Sequence, residues 1–392
     1  MRVVLALATS SGQISGVQRH AINVARCLLS RSEVTDLHLL VTPSQHGFVR
    51  DSTSLEDERL HLHIVQVGDS AFRRNLWYFA QLPGLAAFYQ ADIVHLAYPM
   101  PLRRSAFHCP TVVTLHDMYP FDIPENFGSP RVLANQVVLR QCLQSVDSIA
   151  CVSESTRTGL ERRMPELARR KAITIHNCVE PISAHRPVQQ LNNVPFLLCV
   201  AQHRRNKNIL LLLQVFRDLL RGGHLAPRTQ LVIVGMEGPE TKAILRFISS
   251  NQLGHRVLLL SGIPDAELRW CYQNCELLLA PSIIEGFGLP VAEAALSGCR
   301  VVCSDIPAFR EVGGDHCHYV PLDSAAEQGF VDAVCHSLGE PPRKPIAAPR
   351  FSSDVIGEKY LELYRSLTLP ARRVDRRVLG TSISSPEREH IL

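Results

Sequence analysis

Short apolar runs alternate with longer amphipathic stretches along almost the whole chain. Apolar runs of this kind predict strands buried on both faces of a sheet, and the amphipathic stretches predict helices. The strands predicted for the first half are Val3–Ala8, Leu37–Val41, Ile93–His95, Thr111–Leu115, Ser148–Val152 and Ile173–Ile175. The helices predicted between them are Val17–Leu29, Phe72–Tyr89 and Arg131–Leu143. This alternation predicts an α/β fold, with a parallel sheet covered by helices on both faces.

The pattern stops at residues 181–195, where prolines interrupt a stretch without periodicity, and we interpret this segment as a linker. It then restarts with the predicted strands Phe196–Val200, Gln230–Val234, Val257–Leu260, Glu276–Ala280 and Val301–Cys303. The helices predicted among them are Ile209–Leu220, Pro239–Asn251, Asp265–Asn274 and Pro290–Ser297. Residues 1–180 and 196–350 are therefore predicted to form two doubly wound domains. Residues 351–370 form a last helix that we expect to pack back on the first domain, and the arginine-rich tail 371–392 is expected to be flexible.

Composition narrows the range of functions. The 392 residues are 46% hydrophobic and 20% charged, which is typical of globular domains, and the net charge of +4 is too small to indicate nucleic acid binding. No apolar run approaches the roughly 18 residues that a membrane span requires. The twelve cysteines are scattered through apolar segments, which favours reduced thiols. We therefore expect a cytoplasmic protein, and peripheral contact with the inner face of the membrane stays open.

Two consecutive sheets of this kind also predict where ligands bind. In open parallel sheets, ligands lie beyond the carboxyl ends of the strands. Two such sheets in one chain place both sets of strand ends around one cleft. That arrangement suits a reaction that joins two substrates, one held by each domain.

The segment Pro281–Glu293 is the most informative motif. A buried strand ends before it, and a loop with Gly286 and Gly288 leads into a helix that carries Pro290 in its first turn. The free N–H groups at such a helix start favour an anion, and the glycines let backbone amides approach a ligand. Glu285 and Glu293 are predicted to flank this volume.

The run Glu-Gly-Phe-Gly-Leu-Pro-x-x-Glu, from Glu285 to Glu293, resembles the signature of the retaining GT-B glycosyltransferases of family 4. The following segment, Ala294–Val312, continues the resemblance, as do Val152–Ser155 and the pair His116-Asp117. The resemblance extends from the loop at residues 12–16 to residue 315 and is stronger in the second half. It implies the GT-B fold, with two Rossmann-like domains, an acceptor-side first domain and a second domain that binds the donor nucleotide.

The resemblance also implies roles for the residues of this motif. Glu285 is expected to bond hydroxyls of the transferred sugar, and Glu293 to hold the ribose. Backbone amides of Phe287, Gly288 and Leu289 are expected to contact the sugar and the phosphates. The alternative is that the two glutamates simply favour the positive end of the helix dipole.

A second cluster follows the strand Phe196–Val200. Arg204, Arg205 and Lys207 place three cations within four residues at a strand end, which suits a diphosphate. Lys207 resembles the phosphate-binding lysine of the family, whereas the arginine that usually precedes it is absent. Either Arg204 or Arg205 is expected to supply the second charge. A solvated basic loop is the alternative.

Other residues are expected to contact the donor because they follow the ends of predicted strands. The loop Thr9–Gly16 is expected to approach the donor, with Gly16 permitting the approach, although an ordinary strand-to-helix turn explains it too. His116 follows a strand and resembles a family histidine that contacts the sugar near the reacting centre. Gly235 and Ile263 are expected to line the nucleotide pocket.

These observations predict a metal-independent glycosyltransferase that moves a hexose from a nucleoside diphosphate sugar to a glycan or lipid-linked acceptor, and the family resemblance implies that the anomeric configuration is retained. The chain contains no Asp-x-Asp, the usual metal-binding motif of such enzymes, and no cofactor is expected. Similar enzymes assemble bacterial polysaccharides, and GDP-mannose is the donor that this comparison suggests. The candidate catalytic residues are Glu285, His116 and Lys207.

Alternative functions remain. A sugar-nucleotide epimerase shares this architecture, and a non-catalytic sugar-nucleotide-binding module is also compatible with it. A dinucleotide-dependent oxidoreductase is disfavoured because no Gly-x-Gly-x-x-Gly follows the first strand. The aromatic and basic segment Phe72–Tyr89 fits either a membrane-surface contact or a buried core helix.

Overall fold

The computed structural model describes residues 1–9, 16–53, 57–126, 131–180, 185–341 and 344–369. The first sheet has seven parallel strands in the order β3-β2-β1-β4-β5-β6-β7. They are β1 Arg2–Ala6, β2 Asp36–Val41, β3 Leu60–Ile64, β4 Ile93–Leu96, β5 Thr111–Leu115, β6 Ser148–Cys151 and β7 Ala172–Thr174. Both faces of this sheet are buried, as its continuous apolar runs predict: Val3 and Leu5 pack on one side, Val4 and Ala6 on the other.

Eight helices of the described chain lie between or directly after the strands of this sheet. They are α1 Gly16–Leu29, α2 Pro43–Thr53, α3 Ala71–Ala80, α4 Leu82–Phe88, α5 Tyr119–Asp122, α6 Arg131–Ser145, α7 Glu154–Arg163 and α8 Pro165–Lys171. The prediction of one helix over Phe72–Tyr89 is wrong, because the chain breaks at Gln81 into α3 and α4. Pro83 lies in the first turn of α4, where its missing N–H costs nothing, but inside one long helix it would remove a hydrogen bond.

The second sheet has six parallel strands in the order β10-β9-β8-β11-β12-β13. They are β8 Phe196–Val200, β9 Gln230–Val234, β10 Val257–Leu260, β11 Leu277–Ala280, β12 Val301–Ser304 and β13 Cys317–Val320. Both sheets share the strand order of a Rossmann fold, in which the direction of winding reverses beside the first strand. The predicted pair of doubly wound domains is confirmed.

The remaining described helices follow the second sheet's strands. They are α9 Ile209–Arg221, α10 Thr241–Ser250, α11 Asp265–Asn274, α12 Leu289–Leu296, α13 Pro307–Gly313, α14 Ala326–Gly339 and α15 Ser353–Thr368.

Two strands, β3 and β13, were not predicted from the sequence. β3 alternates Leu and His and lies at the edge of the first sheet, where only a partly buried strand is needed. β13 is a four-residue strand at the edge of the second sheet. Neither strand is a continuous apolar run, since histidine interrupts both of them.

The linker between the domains and the last helix both pack against the domain cores. Within the predicted linker, residues 185–195 are described, and Val188 and Leu191 are buried in the second domain's core. α15 crosses back to the first domain, where Tyr360 and Tyr364 are buried among residues of α1. Phe351, placed by the sequence in the last helix, instead packs in the second domain's core. Residues 181–184 and the tail 371–392 lie outside the described residues.

All twelve cysteines are free thiols, and ten of them are buried. Among the described helices, no segment combines the length and the apolarity that crossing a lipid bilayer demands.

Candidate active site

A cleft of about 690 Å³ lies between the two domains, at the carboxyl ends of both sets of strands. The first domain contributes the start of α1 and the residues after β5. The second contributes the loops that follow β8, β9, β10 and β11. This is the position at which open parallel sheets bind ligands, and here two sheets share it.

Lys207 and Glu285 meet inside this cleft. Lys207 Nζ lies 2.5 Å from Glu285 Oε1, and the two side chains are only 18% and 9% exposed. Lys207 ends a short 3-10 turn after β8, while Glu285 precedes the turn into α12. The phenolic hydroxyl of Tyr119 donates to the second oxygen, Glu285 Oε2, at 3.2 Å. The carboxylate is therefore held from both domains.

The glycine loop that follows Glu285 is pressed against the first domain. A Cβ atom on Gly286 would lie 1.8 Å from the carbonyl oxygen of His116, so only glycine fits there. The carbonyl oxygen of Gly286 accepts hydrogen bonds from Ser153 Oγ and, at 3.0 Å, from Thr156 Oγ1. Gly288 precedes α12 with φ of +95°, a conformation that favours glycine. The start of α12 consequently faces the cleft beside Lys207.

Glu293 lies one turn inside α12 and also lines the cleft. Tyr272 donates to Glu293 Oε2 at 2.8 Å. Burial raises the pKa of the Glu293 carboxyl, and the nearby Arg19 acts against that rise. Arg19 itself lines the cleft from α1 and pairs with Asp265 of α11 at 2.5 Å. An ion pair therefore links the domains at this end of the cleft, and the sequence pattern did not indicate it.

His116 lines the cleft as a neutral ring. Burial lowers its pKa to about 4. Nε2 lies 2.8 Å from the carbonyl oxygen of Ala97, and because a carbonyl only accepts, this nitrogen must carry the hydrogen. The other nitrogen, Nδ1, therefore carries a lone pair that can accept a hydrogen bond.

A buried chain of polar side chains supports His116 from behind. The ring of His20 packs edge-on against that of His116, with centroids 4.8 Å apart. His20 Nε2 lies 3.2 Å from Thr114 Oγ1, which lies 2.9 Å from His95 Nε2. His95 Nδ1 then meets the hydroxyl of Tyr364 on α15 at 2.6 Å. The last helix thus contributes to the wall behind the active site, and burial lowers the pKa of His95 to about 3.

Asp117 is a cleft carboxylate to which the sequence assigned no role of its own. Its Oδ1 accepts the backbone N–H of Tyr119 at 2.9 Å. Burial raises the pKa of the Asp117 carboxyl to about 6, against that hydrogen bond, and the neighbouring Glu285 raises it further.

The structure brings almost all the predicted site residues to this one cleft. Those that line it are Gly16, His116, Arg204, Lys207, Gly235, Ile263, Glu285, Gly286, Phe287, Gly288, Leu289 and Glu293. Arg205 is the exception, since its exposed side chain is absent from the lining. Arg204 has an extended backbone conformation, and the 3-10 turn begins at Arg205. Of the loop preceding Gly16, residues 10–15 lie outside the described residues.

Glu311 joins the domains on the far side of the glycine loop. From α13 of the second domain, its carboxylate accepts the backbone N–H groups of Glu154 and Ser155 at 2.8 and 3.1 Å. These N–H groups begin α7 of the first domain, so Glu311 caps a helix across the interface. His176 Nε2 lies 2.7 Å from the same carboxylate.

One group of side chains in the described chain is close enough together to hold a metal ion: His318, His336 and Glu340. These residues lie on β13 and at the end of α14, and none of them lines the cleft.

Two Rossmann-like domains that face each other across a cleft of cations, glutamates and glycine loops define the GT-B class. Comparison with solved structures supports the assignment to this class. HepE of Anabaena, solved in complex with UDP and glucose, superposes with a TM-score of 0.67 and 17% identity, over 94% of this chain and 100% of that one.

Sequence comparison gives the family. The model for glycosyltransferase family 4 matches residues 14–182, and that for glycosyl transferases group 1 matches residues 182–334. The O-antigen chain mannosyltransferase B of Escherichia coli is 28% identical over 57% of this chain, and RfbU of Salmonella typhimurium is 25% identical over 60%. The matched segments span 58% and 62% of those two relatives. The chain belongs to the group 1 glycosyltransferases with the GT-B fold.

Proposed function

We propose that this protein is a retaining, metal-independent glycosyltransferase that moves mannose from GDP-mannose to a hydroxyl of a glycan or lipid-linked acceptor in polysaccharide assembly. The observation that carries the proposal is the convergence of Lys207, Glu285 and the start of α12 in one interdomain cleft. The mannosyltransferase names of two relatives support the choice of sugar.

The negative charge of the departing diphosphate explains why positively charged groups line the cleft. When the bond between the anomeric carbon and the phosphate breaks, negative charge develops on the diphosphate, and fixed positive charge there lowers the barrier. Lys207, Arg204 and the start of α12 line the same cleft and provide such charge. These groups supply the electrostatic stabilisation that a bound metal ion provides elsewhere, which is why we propose transfer without a metal.

The sugar is proposed to lie between the two domains. Glu285, held by Lys207 and Tyr119, accepts hydrogen bonds from sugar hydroxyls, and the lone pair on His116 Nδ1 accepts another. Glu293 is proposed to hold the ribose, with the base near Ile263. For retention, we propose that the acceptor hydroxyl attacks from the face that the diphosphate leaves and passes its proton to that diphosphate.

A panel of nucleoside diphosphate sugars tests the proposal. GDP-mannose is expected to raise the melting temperature more than UDP-glucose, UDP-N-acetylglucosamine or GDP alone. Wild-type protein is expected to release GDP at an EDTA-insensitive rate, and NMR of the product is expected to show the donor's anomeric configuration. Indifference to every donor would contradict the glycosyltransferase activity, whereas turnover of a donor to an isomer without GDP release would favour the epimerase.

Peripheral membrane contact forms a second part of the proposal. On α3, Trp77 and Tyr78 are buried, whereas Phe72 and Leu76 are 76% and 53% exposed on the other face. The exposed Arg73 adjoins them, so this face offers both apolar area and positive charge to an anionic lipid surface. The buried face of α3 thus fits the core-helix interpretation, and its exposed face supports the proposed membrane contact.

Vesicle sedimentation tests this contact. The protein is expected to bind vesicles of phosphatidylglycerol and phosphatidylcholine, and the double variant Phe72→Ser, Leu76→Ser is expected to lose about tenfold in binding. Leu245→Ser, which changes a 50% exposed leucine on α10, is the matched control. Equal binding of all three proteins would contradict the assignment.

A further inference from the structure

A second cavity, also of about 690 Å³, opens beside the donor cleft. It lies between α5 and α7 of the first domain and the start of α13 in the second. The two cavities share four lining residues, namely Asp117, Tyr119, Glu285 and Gly286. Since Glu285 is the residue proposed to hold the migrating sugar, the second cavity meets the donor cleft at the reacting end.

Asp117 is placed to contact whatever occupies this junction. Its Oδ1 is held by the N–H of Tyr119, and within the described ranges no hydrogen bond reaches Oδ2. Since the side chain lies at the boundary of both cavities, Oδ2 can accept a hydrogen bond from a hydroxyl that enters through the second one.

The charges of the second cavity restrict its ligand. Five carboxylates line it, whereas only two arginines do. The carboxylates belong to Asp117, Asp122, Glu154, Glu285 and Glu311. One of the arginines, Arg163, is already paired with Asp122 at 2.7 Å. Glu154 and Glu285 are paired as well, with Arg157 and Lys207. The wall therefore offers many oxygens that accept hydrogen bonds from hydroxyls and little unpaired positive charge for a phosphate or carboxylate.

We infer that the second cavity binds the acceptor as a neutral, hydroxyl-rich sugar end, with Asp117 as the residue that orients it at the reacting centre. This inference rests on the proposed glycosyl transfer and names the substrate class of its acceptor side. The oriented hydroxyl oxygen forms a bond to the anomeric carbon. The bond from that carbon to the phosphate oxygen breaks with its electron pair on the diphosphate, which also receives the hydroxyl proton.

Two variants separate acceptor binding from donor chemistry. Asp117→Asn keeps an oxygen for the N–H of Tyr119 but weakens acceptance from a hydroxyl. Thr158→Trp adds bulk to the second cavity from α7, at a residue that lines this cavity and not the donor cleft. Ser250→Trp on the exposed end of α10 is the matched control for bulk, and Asp332→Asn, on the exposed side of α14, is the control for loss of a carboxylate.

The measurement is GDP release from GDP-mannose, alone and with neutral methyl mannosides, mannobioses or their 6-phosphates. Wild type is expected to use the neutral sugars in preference to the phosphates. Asp117→Asn and Thr158→Trp are expected to lower kcat/KM for the neutral acceptor by about 100-fold, with the KM for donor within about twofold. Slow hydrolysis of the donor by water is expected to persist in Thr158→Trp.

Several outcomes would overturn the inference. They are preference for a phosphorylated acceptor, hydrolysis by wild type without transfer to any neutral sugar, and transfer by both variants at the rate of the controls. Equal loss of hydrolysis and transfer in Thr158→Trp would also overturn it, since that variant would then act on the donor side. Failure of wild type to release GDP from any donor would instead refute the proposed function.

Discussion

Lys207 and Glu285 form an ion pair across the floor of the donor cleft, although 78 residues separate them in the sequence. Each lies at the carboxyl end of a strand of the second sheet, and β8 and β11 are neighbours in that sheet. The parallel pairing therefore brings the proposed phosphate-binding cation and the proposed sugar-binding carboxylate within 2.5 Å. In the complex with donor, the ammonium group is expected to lie between this carboxylate and the diphosphate.

Replacement of this lysine should affect chemistry more than binding. Lys207→Ala is expected to lower kcat for GDP release by about 100- to 1000-fold, because a fixed charge that stabilises the leaving group is lost. Lys207→Arg retains the charge and should recover part of the rate. Lys242→Ala, an exposed lysine on α10, is the control. Wild-type kcat in Lys207→Ala would contradict its role.

Arg204 and Arg205 provide a matched pair of substitutions, because only Arg204 lines the cleft. Arg204→Ala is expected to weaken GDP binding by about tenfold, which is the effect of losing one charge-assisted contact of roughly 1.4 kcal/mol. Arg205→Ala should leave the affinity unchanged, because that side chain lies outside the cleft. Isothermal titration calorimetry with GDP distinguishes them. Equal effects would show that net charge, rather than position, matters.

A methyl group added at Gly286 is expected to push the glycine loop of the second domain away from the first domain. Gly286→Ala places a Cβ atom 1.8 Å from the carbonyl oxygen of His116, which is possible only if the glycine loop moves away from the first domain. Activity is expected to fall by about 100-fold, because misplacement of about 1 Å is enough for such a loss. Gly254→Ala, where the added Cβ meets no atom within 4 Å, is the control.

The interdomain cap should make stability depend on pH. Burial alone would raise the pKa of Glu311, but hydrogen bonds from His176 and two backbone N–H groups outweigh it and lower the pKa. A carboxyl whose pKa is depressed in the folded state contributes stability above its unfolded value, about 4.3, and loses it as pH falls through the folded value.

Urea unfolding measures this contribution. Near pH 7, Glu311→Ala is expected to lower the free energy of unfolding by about 1–3 kcal/mol, since α7 loses its cap and His176 its partner. The difference from wild type should shrink below pH 4.3 or so as the carboxyl protonates. Glu161→Ala, on the exposed side of α7, should stay near wild type. A difference independent of pH would exclude the carboxylate's charge as the cause.

Much of this molecule followed from local pattern. Continuous apolar runs explain why the central strands β5, β8 and β9, and also the edge strand β10, were predicted residue for residue. The break between α3 and α4 was also encoded, by Pro83, but the strong amphipathic signal on both sides masked it. The edge strand β3 was missed because the prediction relied on continuous apolar runs, whereas β3 alternates Leu and His as a half-buried strand does.

The sequence by itself determined the two Rossmann-like domains and the residues at their strand ends, because periodicity and glycine loops act over a few residues. Only the tertiary structure placed Arg204, and not Arg205, in the lining of the cleft, linked Tyr364 to the wall behind His116, and placed Glu311 on the start of α7. Each of these depends on side chains that are far apart in the chain. Their meeting is governed by how two sheets and a returning helix pack together, and no local pattern carries that information.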